Sequence, residues 1–142
     1  MFNNVLLPID LDQKSSWEKA LPTAVEFCRA SGGNLHVLTV VPNFGMSLVE
    51  QYFPKGFEKK MAEQTLKNLH EFVNANVPAE IKVQHIVGEG AVYEVILSIA
   101  DKIKADVIVL ASHRPELKDY LLGPNAARVV RHASCSVMVV RD

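Results

Sequence analysis

No apolar run in this 142-residue sequence approaches the ~20 residues that a membrane-spanning helix requires. Its start, Met1-Phe2-Asn3-Asn4, lacks the basic stretch of a secretory signal, so the chain reads as cytoplasmic, with no membrane insertion. An excess of one charge is missing too. The formal net charge of −1 gives no electrostatic basis for binding nucleic acid. Cysteine is scarce: Cys28 and Cys135 show neither C-x-x-C nor metal-ligand spacing and read as two reduced, packed thiols. There is no Walker lysine, metal-ligand cluster or nucleophile–base spacing, so the sequence assigns no catalytic residue and no metal site. His36, His70, His85 and His132 are scattered over strand and helix patterns and read as structural. No repeat, low-complexity stretch or second-domain boundary is visible, and residues 1–142 read as a single domain long enough for a substantial core.

What is present alternates. Val5 to Ile9 and Val107 to Leu110 are solidly apolar and read as strands covered on both faces. Leu35 to Val41 is another strand, stopped by Pro42. Ile81 to Val87 alternates apolar with polar and fits an edge, and Val137 to Val140 closes the chain. Between them lie helix patterns. The first follows a cap at Ser15 or Ser16, with Trp17, Leu21, Ala24, Val25 and Cys28 as its stripe and Gly32-Gly33 as its stop. Pro22, beyond the first turn of a helix so started, predicts a kink or a lost backbone bond. A second helix runs from Phe57 to about Asn74 with Met61, Thr65, Leu69, Phe72 and Val73 on one side. A third follows the plain turn Gly88-Glu89-Gly90, and a fourth carries Ala126, Val129, Val130 and Ala133 opposite Arg128, Arg131 and His132. The greasy connection 43–56 admits two readings, a cover or contact surface and a short helix packed on the sheet.

Strands alternating with helices predict an α/β fold with parallel pairing and right-handed crossovers, consistent with a five-stranded parallel sheet of order 3-2-1-4-5. In that order the winding reverses between strands 1 and 4. The crevice outside their carboxyl ends, Pro8-Ile9-Asp10 and Ala111-Ser112-His113, is the expected ligand site. The last stretch points to the same place. From Ala111-Ser112-His113-Arg114-Pro115 a polar loop passes Leu121-Leu122 to Gly123-Pro124-Asn125 and opens a helix, and a helix N-terminus offers unpaired N–H groups to an anion.

These residues resemble the universal stress protein (UspA-like) family, whose signature is G-x2-G-x9-G-[S/T], then a helix like A-x-x-V-x-R-H-A and a strand like C-P-V-L-V-V-R. The chain has A-S-H-R at 111–114, L-L-G-P-N-A at 121–126, V-V-R-H-A at 129–133 and C-S-V-M-V-V-R at 135–141. It also has L-L-P-I-D at 6–10 against the family's V-P-x-D. The phosphate loop is a variant with S-H-R-P at 112–115: Ala111 replaces the first glycine, the second is missing with one residue deleted, and Pro124 replaces Ser/Thr. The resemblance implies a three-layer α/β/α, Rossmann-like fold of the adenine-nucleotide α-hydrolase type. It also implies a regulatory module that binds ATP or AMP, with magnesium accompanying ATP, and signals to a protein partner.

Carried over position by position, Pro8, Ile9, Asp10 and Val40 would line the adenine and ribose pocket. Leu110, Ala111, Ser112 and His113 would pass under the ribose and first phosphate. Gly123, Asn125 and Ala126 would meet the outer phosphates, with Arg114 supplying charge. The resemblance further implies a homodimer through Val137, Met138, Val139 and Val140. Two other readings stand beside this one: a dimeric interaction protein of the same fold without nucleotide, and a slow ATP hydrolase. A receiver-like reading of Asp10 and Asp12 fails, because no aspartate ends the third strand and no lysine ends the fifth. An FMN-binding reading lacks the Ser/Thr-rich loop after the first strand.

Overall fold

The computed structural model describes residues 2–41, 57–112 and 123–141. Five parallel strands, β1 (Asn4–Ile9), β2 (Asn34–Val41), β3 (Val83–Glu89), β4 (Val107–Ala111) and β5 (Ser136–Val140), form one sheet of order β3-β2-β1-β4-β5. The helices are α1 (Ala20–Ser31), α2 (Phe57–Asn76), α3 (Val92–Ile103) and α4 (Gly123–His132), with a 3-10 turn at Lys14–Ser16. Right-handed crossovers put α1 and α2 on one face and α3 and α4 on the other. Trp17 meets Phe72 of α2 edge-on at 4.9 Å on the first face, and α3 packs on α4 on the second. The solid apolar runs are central as their pattern demands: Val5, Leu6, Leu7, Ile9, Ile108, Val109 and Leu110 are fully buried. Each such side chain contributes roughly 1.5–3 kcal/mol of burial.

Two local readings are corrected. The first helix begins at Ala20, so Ser15 and Ser16 do not cap it, and its N-cap Lys19 makes no side-chain capping bond. Pro22 is therefore the third helical residue. The N–H it lacks is one of the four that have no intrahelical acceptor, and α1 runs through it to Ser31, where Gly32 ends it in the left-handed region. The two readings of 43–56 lie outside the described residues, as do His113 and Arg114.

The Gly88-Glu89-Gly90 turn proves to be a packing device. β3 extends to Glu89, and a Cβ on Gly88 would lie 2.4 Å from Val95 Cγ1, so a bare backbone is what lets α3 settle on β3. Of the histidines, His36 is buried and joins β1 to β3 through Asn4 and Gln84.

Candidate functional site

The site begins with the backbone of β1. Asp106 donates its N–H to the Asn4 carbonyl at 2.8 Å, and Asn34 donates to the Asn3 carbonyl at 2.8 Å. Backbone groups alternate along a strand, so the even residues of β1 turn their polar groups to β4 and the odd ones to β2. Pro8 is even. It has no N–H to give β4, and the β1–β4 ladder ends at Leu6↔Ile108, whereas the β1–β2 ladder runs on to Ile9↔Thr39. A proline in a central strand is normally excluded. Here it stands where the two strands stop pairing, at the reversal of winding.

Past Pro8 the chain is held by one hydroxyl. Ser16, 5% exposed, accepts the Asp10 N–H at 2.9 Å, and its own proton faces the Gln13 carbonyl at 2.7 Å and the Asp10 carbonyl at 3.0 Å. Asp10 Oδ1 accepts the Asp12 N–H at 3.0 Å, which leaves the other carboxylate oxygen as an acceptor for a ligand hydroxyl or amino group. Asp10 and Val40 line a cleft of about 220 Å³ with Leu11, Asp12, Thr39 and Val41, closed on one side by Met61, Thr65 and Asn68 of α2. The wall is thus β-strand ends on one side and successive turns of one helix on the other.

Of the sequence-derived residues, Asp10 and Val40 line this cleft; the others do not, and lie as follows. Pro8 and Ile9 are buried in β1 behind it, and Leu110 and Ala111 are buried at the end of β4. Ser112 is half-buried, and its N–H donates to the Val140 carbonyl at 2.8 Å, which ties the β4 terminus to β5. Gly123 opens α4, followed by exposed Pro124 and half-buried Asn125 and Ala126. Asn125 Oδ1 accepts the Tyr93 N–H in the first turn of α3 at 3.1 Å, and Arg128 lies over the Tyr93 ring at 4.8 Å. The side-chain oxygen of Asn125 therefore holds two helices together, and its amide nitrogen is the part it can turn to a ligand. At the β5 edge, Val137 and Val140 pack on the core, Val139 is half-buried, and Met138 is 41% exposed.

Sequence reasoning missed Ser16 as the brace of Asp10, and it missed Thr39, Met61, Thr65 and Asn68 as cleft residues. Met61 and Thr65 lie on the stripe assigned to core packing, and the helix uses that stripe for both tasks: Leu69 and Val73 are buried under it, while the earlier turns face the cleft. The i, i+4, i+7 spacing of Met61, Thr65 and Asn68 was the available signal. Cys28 and Cys135 are both free. Burial pushes the Cys28 thiol up to about 11, which makes it a packing residue without thiolate chemistry. Among the described residues no group of three or more His, Cys, Asp or Glu could hold a metal ion, and no helix is long and apolar enough to cross a membrane.

Comparison with known proteins agrees with this architecture. The chain is 30% identical over 145 residues to universal stress protein G of Salmonella typhimurium, covering 99% of this chain and 100% of that one. It is 28% identical over 143 residues to universal stress protein G of Escherichia coli O157:H7, with the same coverage. The solved structure of MJ0577, a universal stress protein of Methanocaldococcus jannaschii, superposes with a TM-score of 0.78 at 26% identity, over 100% of this chain and 97% of that one. With the profile of the universal stress protein family matching residues 1–141, the chain belongs to that family.

Proposed function

We propose that the chain is a regulatory module that binds an adenine nucleotide in the crevice between β1 and β4 and signals its ligand state to a protein partner. The observation that supports this is the cleft between the ends of β1 and β2 and helix α2, on the β2 side of that crevice: Pro8 ends the ladder to β4 there, and Ser16 fixes Asp10 with one carboxylate oxygen available. Asp10, Val40 and Thr39 would receive the base and ribose. The start of α4 would receive phosphate through the N–H groups of Gly123, Asn125 and Ala126, with Ser112, His113 and Arg114 alongside. Two proteins of the same fold support the ligand class. A universal stress protein was solved in complex with cAMP (22% identity, TM-score 0.66), and one from Archaeoglobus fulgidus in complex with dAMP (19% identity, TM-score 0.64). Each of those ligands carries adenine and one phosphate group.

Acid extraction of the purified protein, with identification of the released nucleotide, is the direct test, followed by calorimetry with AMP, cAMP and ATP with and without magnesium. The expected result is an adenine nucleotide in the extract and saturable binding that Asp10→Ala weakens. An empty extract and no heat with any of the three would overturn the reading and leave an interaction protein of the same fold.

A further inference from the structure

On α2, just beyond Asn68 of the cleft wall, the His70 ring stacks on the His85 ring of β3 with centroids 3.7 Å apart and planes 24° from parallel. His70 is exposed and His85 half-buried, and His85 Nε2 is enclosed with no hydrogen-bond partner among the described residues. A neutral ring tolerates that position, because an imidazole keeps one nitrogen as a lone-pair acceptor. A protonated ring does not. Both nitrogens then become donors, one of them enclosed without an acceptor, and a proton on each ring sets two like charges face to face.

Among the described residues no acidic group faces that charge. On β3 the side chains sharing the His85 face are Val83 and Val87, and its in-register neighbour on β2 is Val37. From α2 it faces His70, then Val73, Asn74 and Val77, which line the groove beside it. The charged residues of α2 nearest His70, Lys67 and Glu71, are exposed. Among the described residues the one charge that acts on His85 is that of His70.

We propose that the His70–His85 stack is a proton-operated latch: protonation releases this part of α2 from β3 and so loosens the Met61–Thr65–Asn68 wall of the ligand cleft. In its second half the idea rests on the nucleotide reading above; in its first half it does not. Burial first, and the neighbouring His70 second, hold the His85 imidazole below its ordinary value of 6.5. The unfolded chain therefore takes up the proton before the folded one does. The latch contributes fully above the ordinary imidazole value and is lost as pH falls below it toward the depressed folded value.

The test compares wild type with His85→Phe, which keeps an aromatic stack but no titrating nitrogen, and with His70→Gln. Amide protection of residues 66–76 in the free protein, corrected for intrinsic exchange, is measured at about pH 7.5 and about pH 5.5, on either side of the imidazole range. Wild-type protection is expected to fall severalfold, while His85→Phe stays constant. AMP affinity by calorimetry should fall with it in wild type and hold in the variant. Equal wild-type protection at both pH values overturns the latch whatever the nucleotide does. A pH-dependent latch with AMP affinity unchanged overturns its link to the cleft. Absence of AMP binding at the higher pH overturns the nucleotide reading instead, and the exchange data then decide the latch alone. If His85→Phe does not fold, His70→Gln, at an exposed position, takes its place: its protection should fall less than that of wild type, because the burial of His85 remains and the second ring is gone, and a fall as large as in wild type overturns the stack as the latch.

Discussion

At the scale of single residues, two side chains decide how well the cleft works. Pro124 is the second residue of α4, at the helix end proposed to receive phosphate, where it supplies neither an N–H nor a hydroxyl. A hydrogen bond to a charged phosphate is worth roughly 1.5–3 kcal/mol, so its absence should weaken phosphate recognition about tenfold or more. In the proposed binding mode the loss would fall on phosphates and spare the base contacts proposed near Asp10 and Val40. Weak ATP binding with little preference over AMP is the expected outcome, with Pro124→Ser gaining ATP affinity in calorimetry and leaving AMP nearly unchanged. Tight wild-type ATP binding that Pro124→Ser does not alter would show that Asn125 and Arg114 already complete the site. Ser16 acts from behind. Ser16→Ala leaves the part-buried Asp10 N–H without its acceptor and should cost roughly 1 kcal/mol in urea unfolding. It should also weaken nucleotide binding by letting the Asp10 carboxylate wander.

At the scale of elements, α3 depends on the gap at Gly88. Gly88→Ala drives a methyl into Val95 Cγ1, a stiff β-branched side chain, and should destabilise by about 1–3 kcal/mol, as overpacking does. Val95→Ala made in the same chain should restore much of the loss, and a double-mutant cycle in urea reads that coupling. Without rescue, the glycine would be serving the turn rather than the helix contact. Legibility in the sequence divides along the same line. The strands and their order were readable because periodicity and solid apolar runs report directly on burial. The start of α1 was not readable: Trp17 is half-buried against Phe72 from outside the helix, so it mimics a helical stripe that begins three residues early. The second role of Asn125 was hidden too, because a capping bond between two helices leaves no local pattern in either. Pro8 was legible and underused. A proline in a solidly apolar strand already states that one of its edges does not pair.

At the scale of the whole molecule, the sheet ends on one side at β5, and that edge is dressed differently from its opposite. β3 carries Gln84 and Glu89 outward, whereas β5 shows Met138 at 41% exposure beside Val139. A bare apolar edge strand invites pairing with another copy, and soluble chains usually blunt it with charge, proline or a bulge. Here Val137 and Val140 pack on the core, while Met138 is exposed and Val139 half-buried, and these two are the residues proposed to meet a second chain. The expected assembly is a two-fold homodimer in which residues 136–141 of two copies meet, since a self-complementary strand satisfies a two-fold interface with one patch. Val139→Lys places a charge in that contact and should shift the molecule to monomer. Light scattering at micromolar concentration reads the result: a wild-type monomer sinks the interface outright, and a Val139→Lys variant that stays dimeric moves it to another face.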